Sequence, residues 1–198
     1  MRIYLVRHAS TPWNEQGLWQ GVVDTELSER GILEAKRVAE FFKGRKIDLI
    51  VSSPMRRAFQ TAQIIAQEIG YNGELMTDER LRECEIRLWN GMTTDELLKT
   101  YPKEFFEWFN NLDSNLDGVE SLRSVQERMY EFVESLMLQF PIDDVIIVSH
   151  AIALRMLISR VLGITPPNHI NFGLDNASVS ILESNSKKLR VTLLNWKM

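Results

Sequence analysis

Two apolar runs in this chain end in the same way. Ile3-Tyr4-Leu5-Val6 stops abruptly at Arg7-His8-Ala9, and Val145-Ile146-Ile147-Val148 stops at Ser149-His150-Ala151. A short β-branched run reads as a strand buried in a sheet. A cation or an imidazole directly after it marks where the strand leaves the core. In a parallel sheet such exits gather at the carboxyl edge, where ligands bind. Two of only three histidines therefore occupy the same kind of position, as a shared site requires.

The segments between these runs alternate in period. Leu27-Ser28-Glu29-Arg30-Gly31 leads into a helix with Ile32, Ala35, Ala39 and Phe42 on one face and Ser28 as its cap. A strand over 48–52 follows. Pro54 suits the first turn of a second helix, with Ala58, Ala62, Ile65 and Ile69 as its stripe and Gly70 as its end. Beyond a short strand near 74–77, residues 78–91 are irregular, and a helical pattern over 93–110 breaks at Pro102. A long amphipathic helix over 121–139 precedes the second apolar run, and a helix over 152–162 follows it. Residues 179–183 and 189–194 read as a hairpin across 184–187. This order predicts an α/β fold with a mostly parallel central sheet, helices on both faces and a small helical cap. One domain over 1–198, with the cap at about 78–120, fits the length.

Composition narrows the function. With 23 Lys and Arg against 27 Asp and Glu, the net charge of −4 argues against binding nucleic acid through a broad basic surface. An anionic ligand must therefore be held by a local cluster. Cys84 is the single cysteine, so no intramolecular disulfide and no cysteine zinc site is expected, and a cytoplasmic location fits. Four apolar residues between Arg2 and Arg7 are too few for a signal peptide. The longest apolar stretch, 145–164, carries His150, Arg155 and Arg160, so no membrane span is expected. The sequence carries no signal for oligomeric state.

Arg7 and His8, Arg56 and Arg57, Glu83 and His150 all fall at the expected sheet edge. Guanidinium forks match phosphate oxygens, and helix amino-termini favour anions, so the cluster reads as a phosphate cradle. Neither a P-loop string nor a Gly-x-Gly-x-x-Gly fingerprint is present. A His-Glu-x-x-His pair is missing too, and arginines flanking the histidines repel a divalent cation, so neither a metal nor another cofactor is expected. What remains is a nucleophilic histidine that accepts a phosphoryl group and passes it to water. It must be neutral before attack, and neighbouring cations favour that form. Glu83 is placed to protonate the departing alkoxide. Read without further context, it also fits a salt bridge that orders its loop.

These residues fall within a set of ordered motifs: Val6-Arg7-His8-Ala9, Leu27-Ser28-Glu29-Arg30-Gly31, Ser52-Ser53-Pro54-Met55-Arg56-Arg57-Ala58 with Gln60-Thr61-Ala62, Leu81-Arg82-Glu83, Gly118-Val119-Glu120-Ser121 and Val148-Ser149-His150. Together they resemble the histidine phosphatase superfamily, in its phosphoglycerate-mutase-like branch, over nearly the whole chain. The resemblance implies an α/β core with a helical cap, and His8 as the phosphorylated nucleophile. It makes Arg7, Arg57 and His150 phosphate ligands and Glu83 the proton donor. Arg57 rather than Arg56 aligns, because it directly precedes the alanine. Asn14, Gln20 and Gly21 fall where the family lines its phosphate and substrate pocket, and Asn176 where it orders the rim. His169 matches no motif and reads as structural.

The chain departs from the family pattern in places. Alanine stands at Ala9 and Ala151 where the family usually has glycine, a small change beside the phosphate. The Gly-x-Trp-Glu-Gly string appears as Arg87-Leu88-Trp89-Asn90-Gly91, which leaves Arg87 open between meeting a substrate carboxylate and facing solvent. The cap stretch 92–117 is short, and its Phe105, Phe106, Trp108 and Phe109 are accompanied by only two cations, Lys99 and Lys103. That favours a phosphomonoesterase acting on a small phosphorylated metabolite. The resemblance offers α-ribazole phosphate and phosphoserine as candidates. A cofactor-dependent phosphoglycerate mutase is the alternative, and a phospho-ligand binding module without catalysis a second one. Arg57 is expected to act on the phosphoryl group rather than to hold the protein together.

Overall fold

The computed structural model describes residues 1–139, 143–185 and 188–198. In chain order the elements are β1 (Arg2–Arg7), α1 (Pro12–Glu15), α2 (Glu29–Glu40), β2 (Leu49–Ser52), α3 (Arg56–Ile69), β3 (Leu75–Thr77), α4 (Thr94–Thr100), α5 (Pro102–Asn110), α6 (Leu122–Gln139), β4 (Asp144–Ser149), α7 (Ala151–Leu162), β5 (Val179–Asn185) and β6 (Lys188–Trp196). Short 3₁₀ turns lie at Glu79–Leu81, Arg87–Trp89 and Asn168–Ile170.

The six strands form one sheet in the order β3-β2-β4-β1-β5-β6. The first four run parallel and the last two antiparallel, which is the α/β arrangement read from the sequence. The tip of the terminal hairpin at 186–187 lies outside the described residues. Alternate side chains of each strand serve opposite layers. Ile3, Leu5, Val145 and Ile147 pack into one core with α6 and α7. Tyr4, Val6, Ile146 and Val148 pack into the other with α2 and α3. Both faces of β1 and β4 are thus apolar, which is why these strands read as unbroken runs.

The helix caps follow local chemistry. Ser28 accepts the Gly31 amide at the start of α2, and Gly70 closes α3 with φ +67. Gly31 has a packing reason: a Cβ there would run into the Ser10 carbonyl. Two local expectations fail. Ile32 is 41% exposed, and Val38, at 2%, takes its place on the buried face of α2. Pro54 lies before α3 rather than in its first turn, because Met55 is the extended N-cap residue, its amide donating to Ser53 Oγ.

Residues 78–120 contribute two of the 3₁₀ turns together with α4 and α5. Trp19, Trp89, Phe105 and Trp108 pack at ring-centroid distances of 5.2–6.3 Å, edge-on in every pair but the tilted Phe105–Trp108, and anchor α5 beside the carboxyl edge of the sheet. No described helix is long and apolar enough to cross a membrane.

Candidate active site

The register of the sheet brings the two strand exits together. Arg7 pairs with Ser149, and the His8 amide donates to the Ser149 carbonyl at 2.9 Å. His8 and His150 are therefore neighbours, with ring centroids 5.1 Å apart. The Ala177 amide donates to the Arg7 carbonyl from the β5 side, and Asn176 Nδ2 donates to the His8 carbonyl at 3.0 Å.

These contacts fix the state of His8. Its Nδ1 lies 2.8 Å from the Ala9 carbonyl. A carbonyl only accepts, so Nδ1 carries the hydrogen and Nε2 keeps its lone pair. Burial, then Arg57 and Arg7, hold the imidazole well below its ordinary range, so it is neutral at pH 7. Arg57 Nε donates to Nε2 at 3.3 Å.

Arg57 is 1% exposed. It donates to the carbonyls of Gly21 at 2.7 Å and Val23 at 2.8 Å, and burial lowers its pKa to about 10, leaving it charged. It is thus a strut of the 21–23 loop as well as a site cation, contrary to the expectation of a purely chemical role. Gly21 has φ +49, and a Cβ there would meet Ile86. Arg56 turns outward to Asp24 and Glu26. Arg7 donates to the Leu174 carbonyl at 2.6 Å, while its buried Nε has no partner among the described residues.

Glu83 caps α7. Its carboxylate accepts the amides of Ile152 at 3.2 Å, Ala153 at 3.1 Å and Cys84 at 2.9 Å. No ion pair to a described residue holds it, so the loop-ordering salt bridge gives way to an amide cradle. Asn14 Oδ1 accepts from Thr11 and Asn176. Gln20 Oε1 accepts from Thr25 at 2.7 Å.

A cavity of about 410 Å³ opens over these groups, within the usual size range for small-molecule sites. Arg7, His8, Asn14, Gln20, Gly21, Arg57, Glu83 and Asn176 all border it. His150 stands behind that wall, fully buried, with Nε2 2.8 Å from Ser53 Oγ and Nδ1 without a partner among the described residues. Ser53 already accepts the Met55 amide and has its hydroxyl hydrogen to give. Donated to Nε2, that hydrogen makes Nδ1 the protonated nitrogen of a neutral ring. Burial, then Arg57, holds His150 neutral as well.

Arg87 faces solvent and pairs with Glu85 at 2.8 Å, which decides between its two readings. Trp108 and Phe109 of α5 line the cavity, while Phe106 is exposed. The sequence reading missed Arg155 and His169, which also border it. The available signal for Arg155 was helical spacing, since it lies four residues after Ala151 on the same face of α7. Among the described residues, no three His, Cys, Asp or Glu side chains are grouped as a metal site needs.

Comparison with known proteins agrees with this geometry. The family model described as histidine phosphatase superfamily (branch 1) matches residues 3–197. Phosphoserine phosphatase 1 of Hydrogenobacter thermophilus is 34% identical over 98% of this chain and 92% of its own length. A probable phosphoglycerate mutase of Cronobacter sakazakii is 33% identical over 91% of this chain and 83% of its own. The crystal structure of the alpha-ribazole phosphatase from Shigella flexneri superposes with a TM-score of 0.86 at 25% identity, covering 99% of this chain and 96% of that one. With a family match over nearly its whole length, the chain belongs to branch 1 of the histidine phosphatase superfamily.

Proposed function

We propose that the protein is a metal-independent phosphomonoesterase that hydrolyses a small phosphorylated metabolite through a phosphohistidine on His8. The observation that carries this is the neutral His8 ring at the border of the cavity, its Nδ1 tied to the Ala9 carbonyl and its Nε2 lone pair facing Arg57 Nε at 3.3 Å. Nε2 attacks phosphorus, the bond to the ester oxygen breaks, and Glu83, which enters this step as the carboxylic acid, gives that oxygen its proton and is left as the carboxylate. In the second step Glu83 takes a proton from water, the water oxygen bonds to phosphorus, and the bond to Nε2 breaks, releasing phosphate. Arg57 and Arg7 beside His8 meet the negative charge that accumulates on the equatorial oxygens, Asn14 and Gln20 add neutral donors around them, and His150, behind the cavity wall, backs the His8 ring.

Hydrolysis is favoured over mutase chemistry by the small cap. A mutase grips a second phosphate and shields the phosphohistidine, and the only cations of the 92–117 stretch are Lys99 and Lys103. The names of similar proteins supply phosphoserine and α-ribazole phosphate as candidate substrates. The test pairs p-nitrophenyl phosphate with a panel of natural monoesters, and 3-phosphoglycerate plus catalytic 2,3-bisphosphoglycerate as the mutase arm. Phosphate release outrunning isomerisation, unaffected by EDTA, is expected. Isomerisation outrunning release, or rescue of a chelated enzyme by one divalent ion, would overturn the reading.

A further inference from the structure

Two titratable side chains that border the cavity have no assigned part in the chemistry at phosphorus, Arg155 and His169. The other guanidiniums around the site are tied to backbone oxygens: Arg7 to Leu174, Arg57 to Gly21 and Val23, and Arg128 to Arg80, Arg82 and Glu83. Arg155 is different. Its side chain is half-buried, lies 5.8 Å from the centre of the Phe172 ring, and makes no hydrogen bond or ion pair with another described residue. Its one nearby opposite charge is Glu83, which three amides already hold and which makes no ion pair with it, so a partly desolvated guanidinium here gains from an anion that joins it.

Its place on α7 sets where that anion would lie. The amides of Ile152 and Ala153 hold the Glu83 carboxylate. Arg155 follows one helical turn later on the same face, about 5 Å along the axis, and helical side chains lean back towards the amino-terminus. If Glu83 protonates the ester oxygen, Arg155 meets a group two or three bonds further into the substrate. Beside it, His169 is 3% exposed, its ring 4.7 Å from that of Phe109 and its Nδ1 without a partner among the described residues. Burial and then Arg155 push His169 down to about 4, so it meets a ligand as a neutral hydrogen-bonding ring. One fork and one neutral imidazole match a single negative charge of planar shape. A second phosphate calls for more cations.

We infer that Arg155, with His169 beside it, forms a carboxylate subsite that makes the preferred substrate a short phosphomonoester with a carboxylate two or three bonds beyond the ester oxygen. The inference rests on the phosphomonoesterase reading, and it ranks the candidates, placing phosphoserine above α-ribazole phosphate.

The test compares substrates that differ by the carboxylate alone, phosphoserine against phosphoethanolamine, with α-ribazole phosphate and p-nitrophenyl phosphate alongside. The wild-type enzyme should prefer phosphoserine to phosphoethanolamine by at least about tenfold in kcat/KM, since the site leaves a buried cation unpaired with the analogue. Arg155→Met should bring that ratio to within about twofold, and Arg155→Lys should keep part of it because it retains charge without the fork. Should Arg155→Met fail to fold, the wild-type ratio and the lysine variant decide. A wild-type ratio near one, or equal losses on both esters in the folded variants, overturns the subsite while leaving the phosphatase reading intact. Failure of the wild-type enzyme on p-nitrophenyl phosphate and on every ester would overturn both.

Discussion

Arg57 Nε stands 3.3 Å from His8 Nε2, so the guanidinium that borders the candidate phosphate site also touches the candidate attacking atom. A positive charge at that distance holds the imidazole neutral, and it meets an incoming phosphate at the same point.

Removing the nucleophile should remove turnover. His8→Ala is expected to lower kcat by at least about 10³-fold, because the remaining donors bind phosphate but supply no covalent route. Mass spectrometry after rapid quenching should find an acid-labile phosphate on His8 of the wild type. A near-native rate in the variant would rule out the phosphohistidine.

Glu83→Gln should hurt in proportion to how badly the leaving group needs a proton. The loss should be large for an alkyl phosphate and much smaller for p-nitrophenyl phosphate, whose phenolate departs without help. Equal losses on both would assign Glu83 to holding α7 rather than to proton transfer.

Arg57→Ala should cost activity and stability together. Loss of one member of a buried charged contact corresponds to about 2–5 kcal/mol of transition-state binding. The carbonyls of Gly21 and Val23 also lose their donors. Two hydrogen bonds to a charged group contribute about 2 kcal/mol or more, or roughly 4–8 °C in Tm for a domain of this size. An unchanged melting curve would show that the loop holds without its strut.

Gly31→Ala tests packing against propensity. Alanine is the better helix former by about 1 kcal/mol, yet its Cβ would collide with the Ser10 carbonyl in the loop after His8. The collision should win, with a net loss of about 1–3 kcal/mol. A raised Tm would refute the close approach of α2 to that loop.

Three buried histidines set an acid limit on stability. His8 and His150 lie well below the ordinary imidazole range, by burial and then Arg57, and His169 lies at about 4. Unfolded, each titrates near about 6.5. Below that pH the unfolded chain binds protons that the folded chain refuses, so stability falls as pH falls, and above about pH 7 these groups contribute nothing to the slope. His169 alone accounts for about 3 kcal/mol between pH 6.5 and 4. Urea unfolding at pH 7, 5.5 and 4.5 should show the decline, and His169→Gln should make it shallower. An unchanged slope in that variant would count against the buried neutral ring.

What the sequence made legible follows from range. The buried strands, the Ser28 and Gly70 caps, and the placing of Arg7, His8 and His150 at one edge come from local pattern and from a simple rule about parallel sheets. Ile32 and Val38 were confused because both fit an apolar stripe at helical spacing, and only the direction of the sheet distinguishes them. Arg155 looked like an interruption of an apolar run because its importance comes from Glu83, 72 residues earlier, docking on the same helix. His169 was hidden for the same reason, since Phe109 and the cavity reach it only through tertiary packing.

The sheet order has a consequence for how this protein is made. β1, which delivers Arg7 and His8, lies between β4 and β5, so its first pairings join Arg2 to Asp144 and Arg2 to Glu183. During synthesis the strand Ile3–Val6 waits, both edges open, until its partners at Val145 and Leu182 have left the ribosome. Such distant pairings are slow to form, and an unpartnered apolar strand is the part of a nascent chain most prone to stick to others. Both walls of the histidine pair therefore close only when β4 and β5 arrive, and chaperone occupancy on the nascent chain should peak before that point.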